Sequence, residues 1–278
     1  MKPYLIVLDL DGTLMLNFKD YDEETFSYLR KLKSDGHIIM LATGRPLRSS
    51  YFVYDALELD TPLINYNGAR ITNPKDKNYP ITDLRIDRKD LLDIVEYIRK
   101  DLINVFCEII DDIYVLEYNK DIHPFLHINH DFGKVHPGEL KDTLPDNPNG
   151  ALFFLKKEAI ESFVSYVNTN YQGKLFPRFW EVDEHYIVEL YNPLVDKSVG
   201  FKAACDYYHI PLERTIAIGD GHNDIGLLTS AHIGVAMKNA HPDLLPFADY
   251  VTDACDQQGV LKFLKHFFEE KEKEKDKA

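Results

Sequence analysis

The chain is 278 residues long, 45% hydrophobic and 28% charged, with 46 acidic residues against 32 basic for a formal net charge of −14. At roughly 150 residues per domain this predicts about two domains, with enough apolar mass to bury a core. The acidic excess argues against nucleic acid as the main partner, because phosphate-backbone binding depends on clustered Lys and Arg. Three scattered cysteines, Cys107, Cys205 and Cys255, form no CxxC pair and no disulfide framework. No apolar run is long enough for a membrane span or a signal-peptide core, so a cytoplasmic protein, monomeric or weakly homo-oligomeric, is expected.

The first 80 residues alternate strand and helix patterns. Tyr4–Asp9 is a continuous apolar run of the kind buried on both faces of a parallel sheet. Asp22–Ser34 carries Phe26, Leu29 and Leu32 at helical spacing and stops at Gly36. His37–Ala42 reads as a second strand, Pro46–Leu57 as a helix with proline at its first position, and Pro62–Tyr66 as a third strand before an Asn67-Gly68 turn. After Thr82 the rhythm changes. A helix over Arg88–Lys100 precedes a hairpin, Val105–Ile110 and Ile113–Tyr118, turning at Asp111-Asp112. A weak helix (Asp121–His130), a Pro/Gly/Asp-rich loop (137–150), a strand (Ala151–Lys156), a helix (Glu158–Asn170) and strands near Leu175–Glu181 and His185–Tyr191 complete an α+β pattern.

From Asp196 the first rhythm returns: helix Lys197–Tyr208, strand Thr215–Ile218, helix Asn223–Thr229, strand Ile233–Ala236 and helix Gln257–Phe268. The fold class expected is α/β, a doubly wound, Rossmann-like parallel-sheet core made of 1–82 and 193–278, with an inserted α+β cap at 83–192. The alternating charges of Glu269–Lys277 suit a solvated helix end or a disordered tail.

Three junctions concentrate chemistry. Asp9-Leu10-Asp11-Gly12-Thr13 follows the first strand, so its carboxylates fall at the carboxyl edge of the sheet, where open α/β proteins place ligands; an ordinary Asp-rich turn is the plainer reading. An EF-hand is excluded, because its glycine stands sixth in the loop and Gly12 is fourth from Asp9. Gly219-Asp220-Gly221-His222-Asn223-Asp224 also joins a strand to a helix. It lacks the third glycine of a dinucleotide fingerprint, and its two carboxylates suit Mg²⁺, an oxygen-seeking ion, or else cap the helix. Thr43-Gly44-Arg45-Pro46 offers a hydroxyl and backbone N–H groups to a phosphate oxygen, or simply caps. Lys197 is a candidate charge clamp. His123, His127 and His130 share a helical spacing, which a solvated helix explains better than zinc, since no further ligand accompanies them.

Taken in order, Asp-x-Asp-Gly-Thr, Thr-Gly-Arg, Asn-Gly, a lysine and Gly-Asp-Gly-x-Asn-Asp resemble the motifs of the haloacid dehalogenase superfamily. The insertion after the third strand is similar to that of Cof-type sugar-phosphate phosphatases with a type IIB cap, as are 234–240 and 248–252. Ser198 departs from the glycine usual after the lysine. The resemblance implies an enzyme that hydrolyses phosphate monoesters of small phosphorylated metabolites, with Asp9 as nucleophile forming an aspartyl-phosphate and Asp11 as general acid and base. It implies Mg²⁺ held by Asp9, the Asp11 carbonyl, Asp220 and Asp224. Leu10, Gly12, Thr43, Gly44, Arg45, Lys197 and Asn223 would bind the phosphoryl group, with Thr43 and Lys197 counted also as catalytic. A phosphomutase on the same scaffold and a non-catalytic phosphometabolite-binding regulator are the alternatives. In the cap, Arg178, Trp180, His185 and Tyr186 cluster at the last hairpin.

Overall fold

A computed structural model describes residues 2–17, 19–129 and 131–276. In chain order the strands are β1 (Leu5–Leu8), β2 (Ile38–Ala42), β3 (Leu63–Asn65), β4 (Arg70–Thr72), β5 (Thr82–Asp83), β6 (Leu102–Ile109), β7 (Asp112–Val115), β8 (Val135–Pro137), β9 (Gly150–Lys156), β10 (Phe176–Val182), β11 (His185–Tyr191), β12 (Thr215–Gly219), β13 (Ile233–Ala236) and β14 (Tyr250–Val251). The helices are α1 (Glu23–Ser34), α2 (Leu47–Ala56), α3 (Arg88–Ile98), α4 (His123–Leu126), α5 (Leu140–Thr143), α6 (Ile160–Asn170), α7 (Lys197–Tyr208), α8 (Ile225–Ser230) and α9 (Gly259–Asp276). The chain divides into two compact units, one of residues 1–44, 52–81 and 196–278, the other of residues 45–51 and 82–195. Residues 45–51 therefore group with the inserted segment, and the return falls at Asp196.

In the first unit the strand order is β14-β13-β12-β1-β2-β3-β4. All neighbours are parallel except β3 and β4. β1 is completely buried and lies between β2 and β12, with Leu5 opposite both Ile38 and Thr215. That position explains its unbroken apolar run: helices cover both faces of such a sheet. Leu5 and Val7 pack into a cluster with Met40, Phe201, Ala217 and Leu227. α1 starts where Asp22 accepts a 2.7 Å hydrogen bond from the Thr25 amide and buries Phe26, Leu29 and Leu32.

The second unit is a six-stranded sheet of order β10-β11-β9-β6-β7-β8. One face carries Val105, Cys107, Phe153, Leu155, Val188 and Leu190 into a core completed by Leu91, Ile94, Val95 and Ile98 of α3 and Phe163 and Val167 of α6. Phe106, Phe154 and Ile187 point to the opposite face and meet Ile122 and Leu126. Arg48, on the first turn of α2, is buried here. It pairs with the Glu108 carboxylate and donates from Nη2 to the Leu126 carbonyl at 2.8 Å.

Several expectations are corrected. The hairpin turns at Ile110-Asp111, since Ile109 pairs with Asp112, and Ile110 takes φ of +61°. The helix expected over Asp121–His130 is only His123–Leu126: Pro124 removes a donor, and the chain leaves at His127 with φ of +46°. His127 thus leaves the helix that His123 opens, and His130 lies outside the described residues. Of the two forms expected for the charged tail, the helix end is the one present: it is helix through Asp276, supported by Lys273–Glu270 and Lys271–Glu274 pairs one turn apart, and Lys277 lies outside the described residues. β4, β5, β8, β14 and α5 were not expected, all of them four residues or fewer.

Candidate active site

The backbone brings the strand-end loops of the first unit together before any side chain is considered. The Asp9 amide donates to Ile218 in β12 at 3.0 Å, so Asp9 leaves the sheet beside the 219–224 loop. Leu10, fully buried, accepts at its carbonyl from the amides of Thr13, Leu14 and Met15, which closes the Asp9–Thr13 segment into a tight turn. Gly12 is required there. Its φ is +79°, and a Cβ would run into the Asp220 carboxylate. The buried Thr13 hydroxyl in this turn has no hydrogen-bond partner.

Four charged side chains meet at this edge. Lys197, the first residue of α7, is fully buried, and its Nζ donates to Asp9 Oδ1 at 2.5 Å and to Asp224 Oδ1 at 2.7 Å. Asp224 Oδ2 accepts the amides of Asp220 at 3.1 Å and Gly221 at 2.9 Å, so the loop folds back on its own carboxylate. Asp9, Asp220 and Asp224 each place an oxygen within 4.8 Å of the others. Burial pushes the Asp9 carboxyl well above the ordinary range; Lys197 opposes this, and Asp224 and Asp220 add to it. Burial, with Asp224, lifts Asp220 to about 6. Burial also opposes the Lys197 charge, but Asp224 and Asp9 hold the ammonium above its usual range.

Three carboxylates thus share one ammonium in a largely buried volume, a deficit of positive charge that a divalent cation would correct. The donors are all oxygen, as Mg²⁺ prefers, and the residues present fit that ion. The orphan Thr13 hydroxyl in the adjoining turn is consistent with a polar ligand at this edge.

The remaining expected residues fall as follows. Asp11 is half-buried at the start of the turn, and Thr43 is buried, its amide bonded to Ile64 and its carbonyl to the Asn67 amide. Gly44 backs onto the Asn67 side chain, where a Cβ would come within 3.2 Å of Oδ1. Asn223 Nδ2 donates to Asn67 Oδ1 at 2.8 Å. Arg45 groups with the second unit, where it is buried and donates to the Ser49 carbonyl at 2.9 Å.

Three residues that shape this edge had no such role in the sequence reading. Asn67, read as half of a turn, bridges the 43–44 and 219–224 loops. Tyr66, Asn67 and Gly68 all have positive φ, and this run sets Gly68 directly against the Asp196 backbone. Asp196 caps α7 by accepting the Ser198 amide at 2.7 Å, which fixes the helix end that carries Lys197. Asn239 donates to the Gly12 carbonyl at 2.9 Å and accepts from the Cys255 amide at the same distance. Positive φ at the non-glycine Tyr66 leaves no signal in one sequence; the Asn67-Gly68 pair was the only visible hint.

A doubly wound core with paired aspartates at one strand end, a lysine and a second acidic loop defines a class. The model of the haloacid dehalogenase-like hydrolases matches residues 6–264, and the chain belongs to that family; with its relatives it falls among the phosphatases. It is 37% identical over 270 residues to the 5-amino-6-(5-phospho-D-ribitylamino)uracil phosphatase YitU of Bacillus subtilis (strain 168), covering 96% of this chain and 98% of that one. It is 27% identical to a phosphoglycolate phosphatase of Methanopyrus kandleri, covering 96% and 97%. A solved haloacid dehalogenase-like hydrolase from Bacteroides thetaiotaomicron superposes with a TM-score of 0.80 at 25% identity, covering 96% of this chain and all of that one.

Proposed function

We propose that the protein is a Mg²⁺-dependent phosphatase of small phosphorylated metabolites that works through an aspartyl-phosphate at Asp9. The observation that carries this reading is the buried Lys197 ammonium held between Asp9 and Asp224, with Asp220 alongside. A carboxylate is a competent nucleophile toward phosphorus if its charge is maintained against burial and if the phosphoryl oxygens meet fixed positive charge. Lys197 supplies the fixed positive charge and opposes the burial that raises Asp9. Asp9, Asp220 and the Asp11 carbonyl, with Asp224, would hold Mg²⁺, which when bound supplies further positive charge to the transferring group.

In the first step an Asp9 oxygen bonds to phosphorus, the ester P–O bond breaks, and Asp11 gives its proton to the departing alkoxide. In the second, Asp11 takes a proton from water as that water attacks phosphorus; the Asp9–phosphorus bond breaks, and inorganic phosphate leaves. Thr43 and Asn223 orient the phosphoryl oxygens, and Asn67 holds Asn223 in place. The YitU relative makes a phosphorylated ribitylaminouracil the first substrate to try, ahead of simple sugar phosphates.

The test is Mg²⁺-dependent phosphate release from an aryl phosphate and from 5-amino-6-(5-phospho-D-ribitylamino)uracil, for wild type and Asp9→Asn. The variant is expected to lose at least about a thousandfold in kcat. Equal release by both proteins removes Asp9 from the mechanism. Phosphoryl return to an isomeric position with no free phosphate identifies a mutase, and substrate binding without turnover identifies a regulator.

A further inference from the structure

Beyond the carboxylate centre, one other set of metal-ligating side chains converges among the described residues: His222, His241 and Asp243. We propose that these three form a second metal site, selective for a transition-metal dication such as Zn²⁺. The proposal does not depend on the phosphatase reading.

Geometry is the first support. Asp243 Oδ2 stands 3.9 Å from His222 Nδ1 and 3.7 Å from His241 Nδ1. A tetrahedral ion with bonds of about 2.0–2.1 Å needs donor atoms about 3.3–3.5 Å apart. Both carboxylate–imidazole spacings are within a few tenths of an ångström of that value, and all three donors lie within 4.8 Å of one another, so rotations of exposed side chains close the gap. The two imidazole rings already face each other edge-on, their planes at 84° and centroids 6.2 Å apart.

Chemistry is the second. Two imidazoles and a carboxylate suit Zn²⁺, Co²⁺ or Ni²⁺, whereas Mg²⁺ prefers an all-oxygen set such as Asp9, Asp220 and Asp224. The two sites therefore sort their ions by donor type. Three protein ligands on an exposed surface leave a coordination position for water.

The backbone holds the ligands in place. The His241 amide donates to the Asp220 carbonyl at 2.8 Å, and His241 Nδ1 caps the turn Pro242–Phe247 by accepting the Asp243 amide at 3.3 Å. That long bond is the one an ion at Nδ1 would replace. His222 lies between Gly221 and Asp224 on the loop that wraps its own carboxylate. An ion held by His222, His241 and Asp243 thus ties the Gly219–Asp224 loop to the Pro242–Phe247 turn.

The test is a Co²⁺ titration of the Mg²⁺-saturated protein, read by visible absorption and followed by Zn²⁺ displacement. Four-coordinate Co²⁺ with nitrogen ligands absorbs far more strongly than six-coordinate Co²⁺ among oxygens, so the signal reports the second site. One equivalent is expected. His241→Asn, which keeps an N-cap acceptor, and His222→Gln should each weaken binding roughly tenfold or more, while Asp220→Asn should retain the signal. Circular dichroism verifies folding of each variant, since the His222, His241 and Asp243 side chains are 59%, 56% and 65% exposed. A signal that survives His241→Asn and His222→Gln, one that vanishes in folded Asp220→Asn, or no saturable signal at all overturns the proposal.

Discussion

Replacing Lys197 by methionine keeps most of the side-chain volume and removes the ammonium that Asp9 and Asp224 share. Both carboxylates are buried, at 5% and 0% exposure, and water cannot replace the lost partner. The protein's cheapest response is to protonate one of them. Keeping an aspartic acid protonated at pH 7 costs about 4 kcal/mol, from an ordinary value near 3.9 at about 1.36 kcal/mol per pH unit. That agrees with the ~3–5 kcal/mol seen when one partner of a buried pair is removed. At pH 5 the same arithmetic leaves about 1.5 kcal/mol. Because burial already raises Asp9 in the metal-free fold, the wild type shares part of this cost, so Lys197→Met in excess EDTA should be destabilised by at most about 4 kcal/mol at pH 7 and by less at pH 5. The assay is urea unfolding followed by far-ultraviolet circular dichroism at both pH values. A loss below about 1 kcal/mol at pH 7, or an equal loss at both, would show that Lys197 does not compensate these charges.

Metal binding should carry its own pH signature. In the metal-free protein Asp9 and Asp220 are raised, so the fold holds protons that the unfolded chain releases, and stability falls as pH rises from about 4 through about 6. The thermal-midpoint difference between Mg²⁺ and EDTA should consequently be wider at pH 7.5 than at pH 5; a difference independent of pH contradicts this. Gly12→Ala forces a side chain into the left-handed region, at about 1–2 kcal/mol, and displaces the Asp220 carboxylate. It should raise the Mg²⁺ concentration for half-maximal activity, and an unchanged Mg²⁺ dependence would mean that Asp220 is not a ligand.

The core strands are legible in the sequence because each is a short apolar run closed by a chemically loaded loop, and a strand buried on both faces leaves no other pattern. Tyr250–Val251 is only two residues long, and its exposed side chains give no periodicity to read. Helix spacing misled at 121–130, where Pro124 and a left-handed His127 outweigh the apolar pattern. At the site, Asp9, Asp220, Asp224 and Lys197 lie on motifs whose order is specific, and the fold brings them together. Asn67, Asp196 and Asn239 could not be found this way. Each acts by bonding to backbone or to a side chain far away in the chain, as Asn239 does to Gly12, and one sequence records no such pairing.

The place of β1 has a consequence for how the molecule is made. β1 precedes β12 by about two hundred residues, and one of its edges can pair with β2 as soon as that strand follows it. The other edge waits for β12, whose Thr215 lies opposite Leu5. At roughly 5–20 residues per second, that wait lasts about 10–40 s. During it a nascent chain presents an unpaired apolar edge, the kind of surface that chaperones cover and that aggregation exploits. Nearly all of the second unit, 82–195, is synthesised within that interval and can condense from contiguous chain before the sheet that carries Asp9 is complete.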